Sequence, residues 1–328
     1  MLKTGIVSAW HVHAHGYANE LEASGKVSFK AIWDENEKRG REWAEQRGIE
    51  FVADYDSFLK RDDIEAVICN APTTMHPELL RKAAEAGKHI FTEKLLATNA
   101  SECIELCDAI KKSGVIFTIS LPLRSSPNIL YAKKMVDSGA LGKVTGARMR
   151  RSHGGVSDNW LPAHWYDVSK TGGGAMMDLG AHPVYVLAFL FGEPLRVSGM
   201  TTNPFGTSSD ENAVALVEFG GGIVATCETA FVTYGVPDIL EVYGTDGSLF
   251  IRGGEIKITT RGMSELGLNT ASPDNLPNEK PTPLMQFVDA CLNKTGTPES
   301  LGLNDALVMT RIIEACYLSD SGNKTIVF

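Results

Sequence analysis

What the chain lacks narrows it first. It contains no run of about 18 apolar residues, so nothing in it reads as a transmembrane helix. It has no basic excess: 31 Lys and Arg stand against 40 Asp and Glu, and a net charge of −9 offers no positive field to neutralise the phosphates of a nucleic acid. It has no CxxC pair. The six cysteines, Cys69, Cys103, Cys107, Cys227, Cys291 and Cys316, sit mostly in apolar periodic segments, and the i, i+4 pair Cys103/Cys107 suits one buried helix face, not a zinc ribbon. Reduced core thiols are expected. The opening MLKTGIVSAW has no signal-peptide pattern and runs straight into a strand, so cytoplasmic residence is the expectation. Repeats and low-complexity tracts are absent.

What is present is enough for two domains of ordinary size: 328 residues, 43% hydrophobic and 22% charged. Through residue 121, short apolar runs such as KTGIVS, VSFKAIWD, IEAVICNAP, KHIFTEK and VIFTISL alternate with helical stretches such as HPELLRKAAEAG and NASECIELCDAIKKSG. That alternation predicts a parallel, doubly wound sheet over residues 1–121, with ligands at the carboxyl ends of its strands. Asp34 ends the second strand, where an acidic side chain holds the ribose hydroxyls of NAD. The residues after it, Glu35 and Asn36, offer no positive charge for a 2′-phosphate, so NAD is expected in preference to NADP. The first turn departs from GxGxxG: it reads Ser8-Ala9-Trp10-His11-Val12-His13, with Ser8, Trp10 and His13 in the glycine places. A tryptophan in the middle place should obstruct the pyrophosphate, while the helix N-terminus and donors from His11 or His13 remain able to receive it. No metal site is expected from His11, His13 and His15, because a helix brings only His11 and His15 onto one face.

Residues 122–328 change character. A helix leads into a polar-alternating strand with His153, then into a loop, residues 156–171, that holds Trp160, His164, Trp165 and Tyr166. These aromatics, with Arg124 and His153, are candidates to stack on a sugar face or bond its hydroxyls. Residues 172–182 read GGGAMMDLGAH. On a helix, Asp178 and His182 at i, i+4 would share one face, and a carboxylate beside an imidazole prepares it to take a proton. Residues 195–260 alternate with hairpin turns at FGGG and YGTDGSL, which predicts a one-faced antiparallel sheet. Residues 262–283 read as a polar, Pro-rich loop, and the last helices are expected to pack back onto the core.

Three blocks carry a resemblance. VICNAPTTMHPELLRKAAEAGKHIFTEKLLA (67–97) resembles the stretch of the Gfo/Idh/MocA oxidoreductase family that ends in Glu-Lys-Pro, with Leu95 here in place of the proline. LPLRSSPNILYAKKMVDSGALGKVTGARM (121–149) resembles the segment that opens its second domain. GGGAMMDLGAHPVYVLAFLFGEP (172–194) resembles its glycine-Asp-His segment. The resemblance implies a Rossmann domain followed by an α/β domain with a large open, mainly antiparallel sheet. It implies that Ala71, Pro72, Thr73, His76, Glu93 and Lys94 join Ser8, Trp10, His11, Val12, His13 and Asp34 at the cofactor. It further implies that Lys94, Asp178 and His182 are catalytic, with His182 as acid–base group, Asp178 as its partner, Lys94 near the nicotinamide, and the three glycines as a floor beside that ring. The expected activity is NAD(H)-dependent hydride transfer at a hydroxyl-bearing carbon of a sugar, polyol or cyclitol, in a homodimer or homotetramer. Two other readings keep the fold: a lyase, epimerase or glycosidase that recycles its hydride on bound NAD, and a non-catalytic sugar-responsive regulator.

Overall fold

Strand runs buried on both faces, such as Ala66–Cys69, can only belong to a sheet covered on both sides, and this is what they build. The structure, a computed structural model, describes residues 1–265, 272–273 and 276–328. The chain divides into two units, Met1–Ser120 with Pro281–Leu307, and Leu121–Lys280 with Val308–Phe328.

In the first unit β1 (Leu2–Val7), α1 (Ala14–Ser24), β2 (Val27–Trp33), α2 (Glu37–Arg47), β3 (Glu50–Phe51), α3 (Tyr55–Leu59), β4 (Ala66–Cys69), α4 (His76–Glu85), β5 (His89–Thr92), α5 (Ala100–Ser113) and β6 (Phe117–Ile119) follow in order. The sheet order is β3-β2-β1-β4-β5-β6 and every neighbouring pair is parallel. This is the doubly wound order whose direction of winding reverses between β1 and β4. Local chemistry sets the helix ends. The Asn36 and Asn99 side chains accept from the N–H groups of Arg39 and Glu102 at 3.1 and 2.9 Å, and Gly48 and Gly114 stop α2 and α5 in the left-handed conformation. Ile6, Leu21, Ile32, Ile68 and Phe91 meet in one core. All six cysteines are buried thiols, Cys103 and Cys107 on one face of α5, as expected.

The second unit holds α6 (Pro127–Asp137), β7 (Val144–Ser152), α7 (Val168–Thr171), α8 (Ala181–Phe191), β8 (Pro194–Thr202), β9 (Asn212–Phe219), β10 (Ile223–Ala230), β11 (Ile239–Gly244), β12 (Gly247–Arg252), β13 (Glu255–Thr260) and α9 (Arg261–Glu265). Next, α10 (Pro283–Asn293) returns to the first unit and sends Leu284, Phe287 and Val288 into its core. The helix α11 (Leu303–Gly322) begins in the first unit and continues in the second, and β14 (Ile326–Val327) pairs with β8. The eight-stranded sheet runs β13-β12-β11-β7-β10-β9-β8-β14, antiparallel except for β7 beside β10. The apolar helix α8 packs on β7 and β10. Alternate residues of β8, β9 and β10, among them Met200, Val214, Leu216 and Val224, remain exposed, so the sheet is one-faced.

The expected loop at 262–283 is in part different. Its first residues belong to α9, and residues 266–271 and 274–275 lie outside the described residues. None of the described helices is long and apolar enough to cross a membrane.

Candidate functional site

Because the first sheet is wholly parallel, the residues that follow its strands share one edge: Ser8 after β1, Asp34 after β2, Asn70 after β4, and Glu93 and Lys94 after β5. Ser8, in the first glycine place, has φ +65°, a conformation that costs a residue with a Cβ. Two hydrogen bonds hold it there. Its N–H donates to the Trp33 carbonyl at 2.7 Å, and its Oγ accepts from the Trp10 N–H at 3.0 Å. The tight turn therefore survives without glycine. Trp10 is buried, Val12 exposed.

Asp34 is buried and its acceptor capacity is full. Oδ2 accepts from the Ala9 N–H at 2.8 Å and Arg39 Nε at 2.9 Å; Oδ1 accepts from the Asn36 N–H at 2.8 Å and an Arg39 terminal nitrogen at 2.6 Å. Four bonds match the roughly four lone-pair positions of a carboxylate. No cation follows Asp34 immediately in the chain; Arg39, five positions on, folds back from the first turn of α2 to supply one. Asn70 is also new. Its side-chain amide is buried, and neither Oδ1 nor Nδ2 has a partner among the described residues. A buried amide left open at the end of a central strand has its hydrogen-bonding capacity available to a water or a ligand.

Beyond Asn70, Ala71 and Pro72 lead into a turn that starts at Thr73. His76 departs from its expected place at the cofactor. It is fully buried, with Nδ1 2.5 Å from the Leu95 carbonyl and Nε2 3.0 Å from the Ala71 carbonyl, so it ties two strand-end loops together. Burial pushes its pKa below the ordinary imidazole value, against the two carbonyls. Glu93 gathers a cluster: His13 Nδ1 at 2.7 Å, His11 Nδ1 at 3.8 Å, and the Tyr17 hydroxyl. Tyr17 also meets Ser120 Oγ at 2.7 Å, and the Lys94 N–H donates to Glu93 Oε2 at 3.1 Å. Burial disfavours the Glu93 charge, but His11, His13 and Lys94 outweigh it and hold the carboxyl well below the usual carboxylate range. Burial first, and then the Glu93 charge, push the Tyr17 phenol well above its usual value, so it stays a donor to Glu93. Lys94 is buried. His15 takes no part in the cluster and lies 6.1 Å from the Trp43 ring.

In the second unit residues 172–182 differ from the expected helix. The helix begins at Ala181, and Asp178 lies in the turn before it, its N–H donated to the Gly174 carbonyl at 3.0 Å. Asp178 and His182 therefore do not share one helix face by i, i+4 spacing. His182 Nδ1 meets the Tyr185 hydroxyl at 2.9 Å, and that hydroxyl also accepts the Leu123 N–H at 3.1 Å. The charge of Asp178 acts on His153: burial lowers the pKa of that imidazole and the carboxylate pulls the other way. The glycines are likewise required by the protein itself. A Cβ on Gly173 would stand 2.5 Å from the Tyr317 hydroxyl, and one on Gly174 would stand 2.0 Å from the Asp210 carbonyl. Asp210 staples the loop: Oδ1 accepts from the Gly174 N–H at 2.7 Å and the Tyr317 hydroxyl at 2.8 Å, and Oδ2 accepts from the Met176 N–H at 2.8 Å. Close approach of Asp210 and Tyr317 accounts for Gly174 and Gly173 from within the protein. Nothing in the sequence pointed to Asp210, 36 positions from Gly174.

The expected substrate residues are spread out. His153 stacks on Phe231 at 5.1 Å and lies 4.7 Å from Trp160, whose indole is largely exposed. His164 lies beside Trp165, which is buried; the Tyr166 hydroxyl donates to the Leu161 carbonyl at 3.2 Å. Arg124 has another task than an open sugar contact. Buried, it donates to the Tyr185 carbonyl through Nε at 3.2 Å and a terminal nitrogen at 2.8 Å, with its guanidinium over the Phe189 ring, and so braces α8 behind His182.

Residues 4–121 match the family described as "Oxidoreductase family, NAD-binding Rossmann fold", and residues 129–250 match "GFO/IDH/MocA C-terminal domain". The chain belongs to the Gfo/Idh/MocA oxidoreductase family. It is 31% identical over 255 residues to scyllo-inositol 2-dehydrogenase (NAD(+)) of Bacillus subtilis, covering 75% of this chain and 72% of that protein. It is 27% identical over 248 residues to levoglucosan dehydrogenase of Pseudarthrobacter phenanthrenivorans, covering 67% and 64%. The solved structure of levoglucosan dehydrogenase in complex with NADH and L-sorbose shares the fold, with a TM-score of 0.88 at 21% identity over 100% of this chain and 98% of that one. NAD is thus the cofactor of this Gfo/Idh/MocA Rossmann domain. The strand-end residues fit it: a left-handed turn at Ser8, the Asp34 carboxylate after β2 and the open Asn70 amide after β4. Arg39 occupies two of the four acceptor positions of that carboxylate.

Proposed function

We propose that this Gfo/Idh/MocA protein is an NAD(H)-dependent dehydrogenase that acts on a hydroxyl-bearing carbon of a sugar, polyol or cyclitol, with His182 as the acid–base group. The observation that carries this reading is the setting of His182: a buried imidazole at the first turn of α8, anchored through Nδ1 to Tyr185, whose own carbonyl Arg124 holds. With Nδ1–H donated to the Tyr185 oxygen, Nε2 keeps the lone pair that accepts the proton of a substrate hydroxyl. Asp178 supplies negative charge in the turn before His182, and Lys94 is the second catalytic group by its place in the Glu-Lys segment. NAD supplies the hydride acceptor. Asp34 binds the ribose, Asn70 orients the cofactor, and His153 with Trp160 forms a surface on which a sugar ring stacks.

The open sheet face with Met200, Val214, Leu216 and Val224 supports assembly of two or four copies through that face. The family's sugar and cyclitol oxidoreductases suggest the substrate panel: inositols, 1,6-anhydro sugars and aldoses. The test is NADH formation from NAD with each member of that panel, for the wild type and for His182→Ala. A loss of about 100- to 10,000-fold in kcat with NAD binding intact is expected. Turnover that His182→Ala leaves unchanged overturns the role of His182, and product formed without net NADH overturns simple dehydrogenation in favour of hydride recycling.

A further inference from the structure

We propose that His11, His13 and Glu93 form a binding site for one divalent transition-metal ion, of the preference of Zn²⁺, at the turn between β1 and α1. Three donors meet there from two separate stretches of chain: one nitrogen from each imidazole and one carboxylate oxygen, all within 4.8 Å of one another. Ligands about 2.1 Å from a tetrahedral ion stand about 3.4 Å apart. The separations from Glu93 Oε1, 2.7 Å to His13 Nδ1 and 3.8 Å to His11 Nδ1, lie on either side of that value, and with all three donors within 4.8 Å of one another small side-chain rotations close the site.

The surroundings are those of a metal ligand set. The His11 and Glu93 side chains are 5% and 2% exposed, while His13 is 48% exposed and gives an ion a way in. Glu93 is oriented by the Lys94 N–H, which donates to the far oxygen Oε2, and by the Tyr17 hydroxyl, which donates to Oε1 and is itself fixed by Ser120; outer bonds of this kind hold a ligating carboxylate in place. On binding, the His13–Glu93 hydrogen bond and the bond from the His13 N–H to His11 Nδ1 at 3.2 Å give way to coordination. Two imidazoles and a carboxylate suit Zn²⁺ and its neighbours over Mg²⁺ or Ca²⁺, which take oxygen. Three protein ligands leave a fourth position for water or a phosphate oxygen. The expectation drawn from sequence, that a helix would pair only His11 with His15, fails because His11 and His13 precede α1, and Glu93 arrives from β5.

A chemical consequence rests on the NAD reading: an ion with an open position would take over at the pyrophosphate the part that glycine N–H groups play in the usual turn. The site itself is tested without dinucleotide. The full-length protein is stripped with a chelator, dialysed and titrated with Zn²⁺ by calorimetry and with Co²⁺ by visible absorption. Binding of one ion per chain is expected, weakened at least 10-fold in His13→Ala and in Glu93→Gln and unchanged in His15→Ala. Substoichiometric binding, or binding equal in wild type and His13→Ala, overturns the site and leaves a hydrogen-bond network only. Circular dichroism and the unfolding midpoint of each variant separate loss of the ion from loss of the fold. No outcome of this titration bears on whether the protein oxidises a sugar, and absence of dehydrogenase activity leaves the metal titration as it stands.

Discussion

Two turns of this protein are written in opposite ways. The turn after β1 has no glycine in any of the three places the dinucleotide pattern reserves for it, yet it makes its left-handed residue out of Ser8. The loop at 172–174 is three glycines, and two of them are demanded by neighbours in its own unit, Tyr317 and Asp210. The difference separates two reasons for glycine. In a cofactor turn the residue leaves room for a ligand, and other chemistry can replace it: a hydroxyl that caps the turn, imidazoles in place of bare N–H groups. In the second loop it leaves room for the protein itself, the Asp210 backbone at Gly174 and the Tyr317 hydroxyl at Gly173.

The largest expected effect follows directly. Gly174→Ala sets a Cβ 2.0 Å from a backbone oxygen, which cannot move aside as a side chain could. Overpacking of this kind should cost about 3 kcal/mol or more, read as a lowered midpoint in urea unfolding. A midpoint within error of wild type would erase the contrast between the two turns.

Next comes Asp210→Ala, which removes the acceptor of two loop N–H groups and of Tyr317. A loss of about 2–3 kcal/mol is expected from donors left unsatisfied. Because the same loop carries Asp178 into His182, kcat should fall while the Kd for NAD holds. Asp210→Asn keeps one acceptor oxygen and should recover part of both. If NAD binding weakened along with kcat in either variant, Asp210 would be acting through the general fold and not through the loop. Tyr185→Phe sharpens the point from the other side of His182. Without the hydroxyl at Nδ1, kcat should drop about 10-fold and the pH profile of kcat should move, with little change in stability.

In the first unit the effects are smaller and fall on binding. Arg39→Ala frees two of the four acceptor positions of Asp34, so NAD should bind a few-fold tighter, provided the carboxylate keeps its Ala9 and Asn36 bonds. Isothermal titration reads the sign. Weaker binding would show Arg39 to be a partner of the cofactor, not its competitor.

What could be read from sequence followed the range of the physics. The parallel sheet and its strand ends were legible because burial on both faces writes continuous apolar runs, and the one-faced sheet because alternation writes Val214, Leu216 and their neighbours. Asp34 could be placed at the end of β2 because strand ends are local, whereas Glu93 and Lys94 came from the resemblance to the Glu-Lys-Pro segment. The helix carrying Asp178 was misplaced because a run such as GGGAMMDLGAH has helix formers but is bent by a distant staple, Asp210, which leaves no trace nearby. His76 and Arg124 were assigned to ligands because a polar side chain near a site and one that braces it look alike until its partners, here backbone carbonyls, are known. Tyr17 was missed because its partner Glu93 lies 76 positions away, and Arg39 because nothing in the run of charges in α2 marks the one that folds back onto Asp34.

The smallest effect tests the comparison most sharply. Gly16 lies in the first turn of α1, and a Cβ there would meet nothing within 4 Å. By the protein's own packing this glycine is dispensable, and Gly16→Ala should stabilise by as much as about 1 kcal/mol, since alanine is the better helix former. If the cofactor turn has indeed exchanged glycine for hydroxyl and imidazole, NAD affinity should not change. If instead affinity collapses while stability rises, the close approach of the pyrophosphate has moved along the chain from the Ser8–His13 turn to Gly16. The first turn would then keep a glycine for the usual reason, merely displaced, and the contrast with Gly174 would be one of position and not of kind.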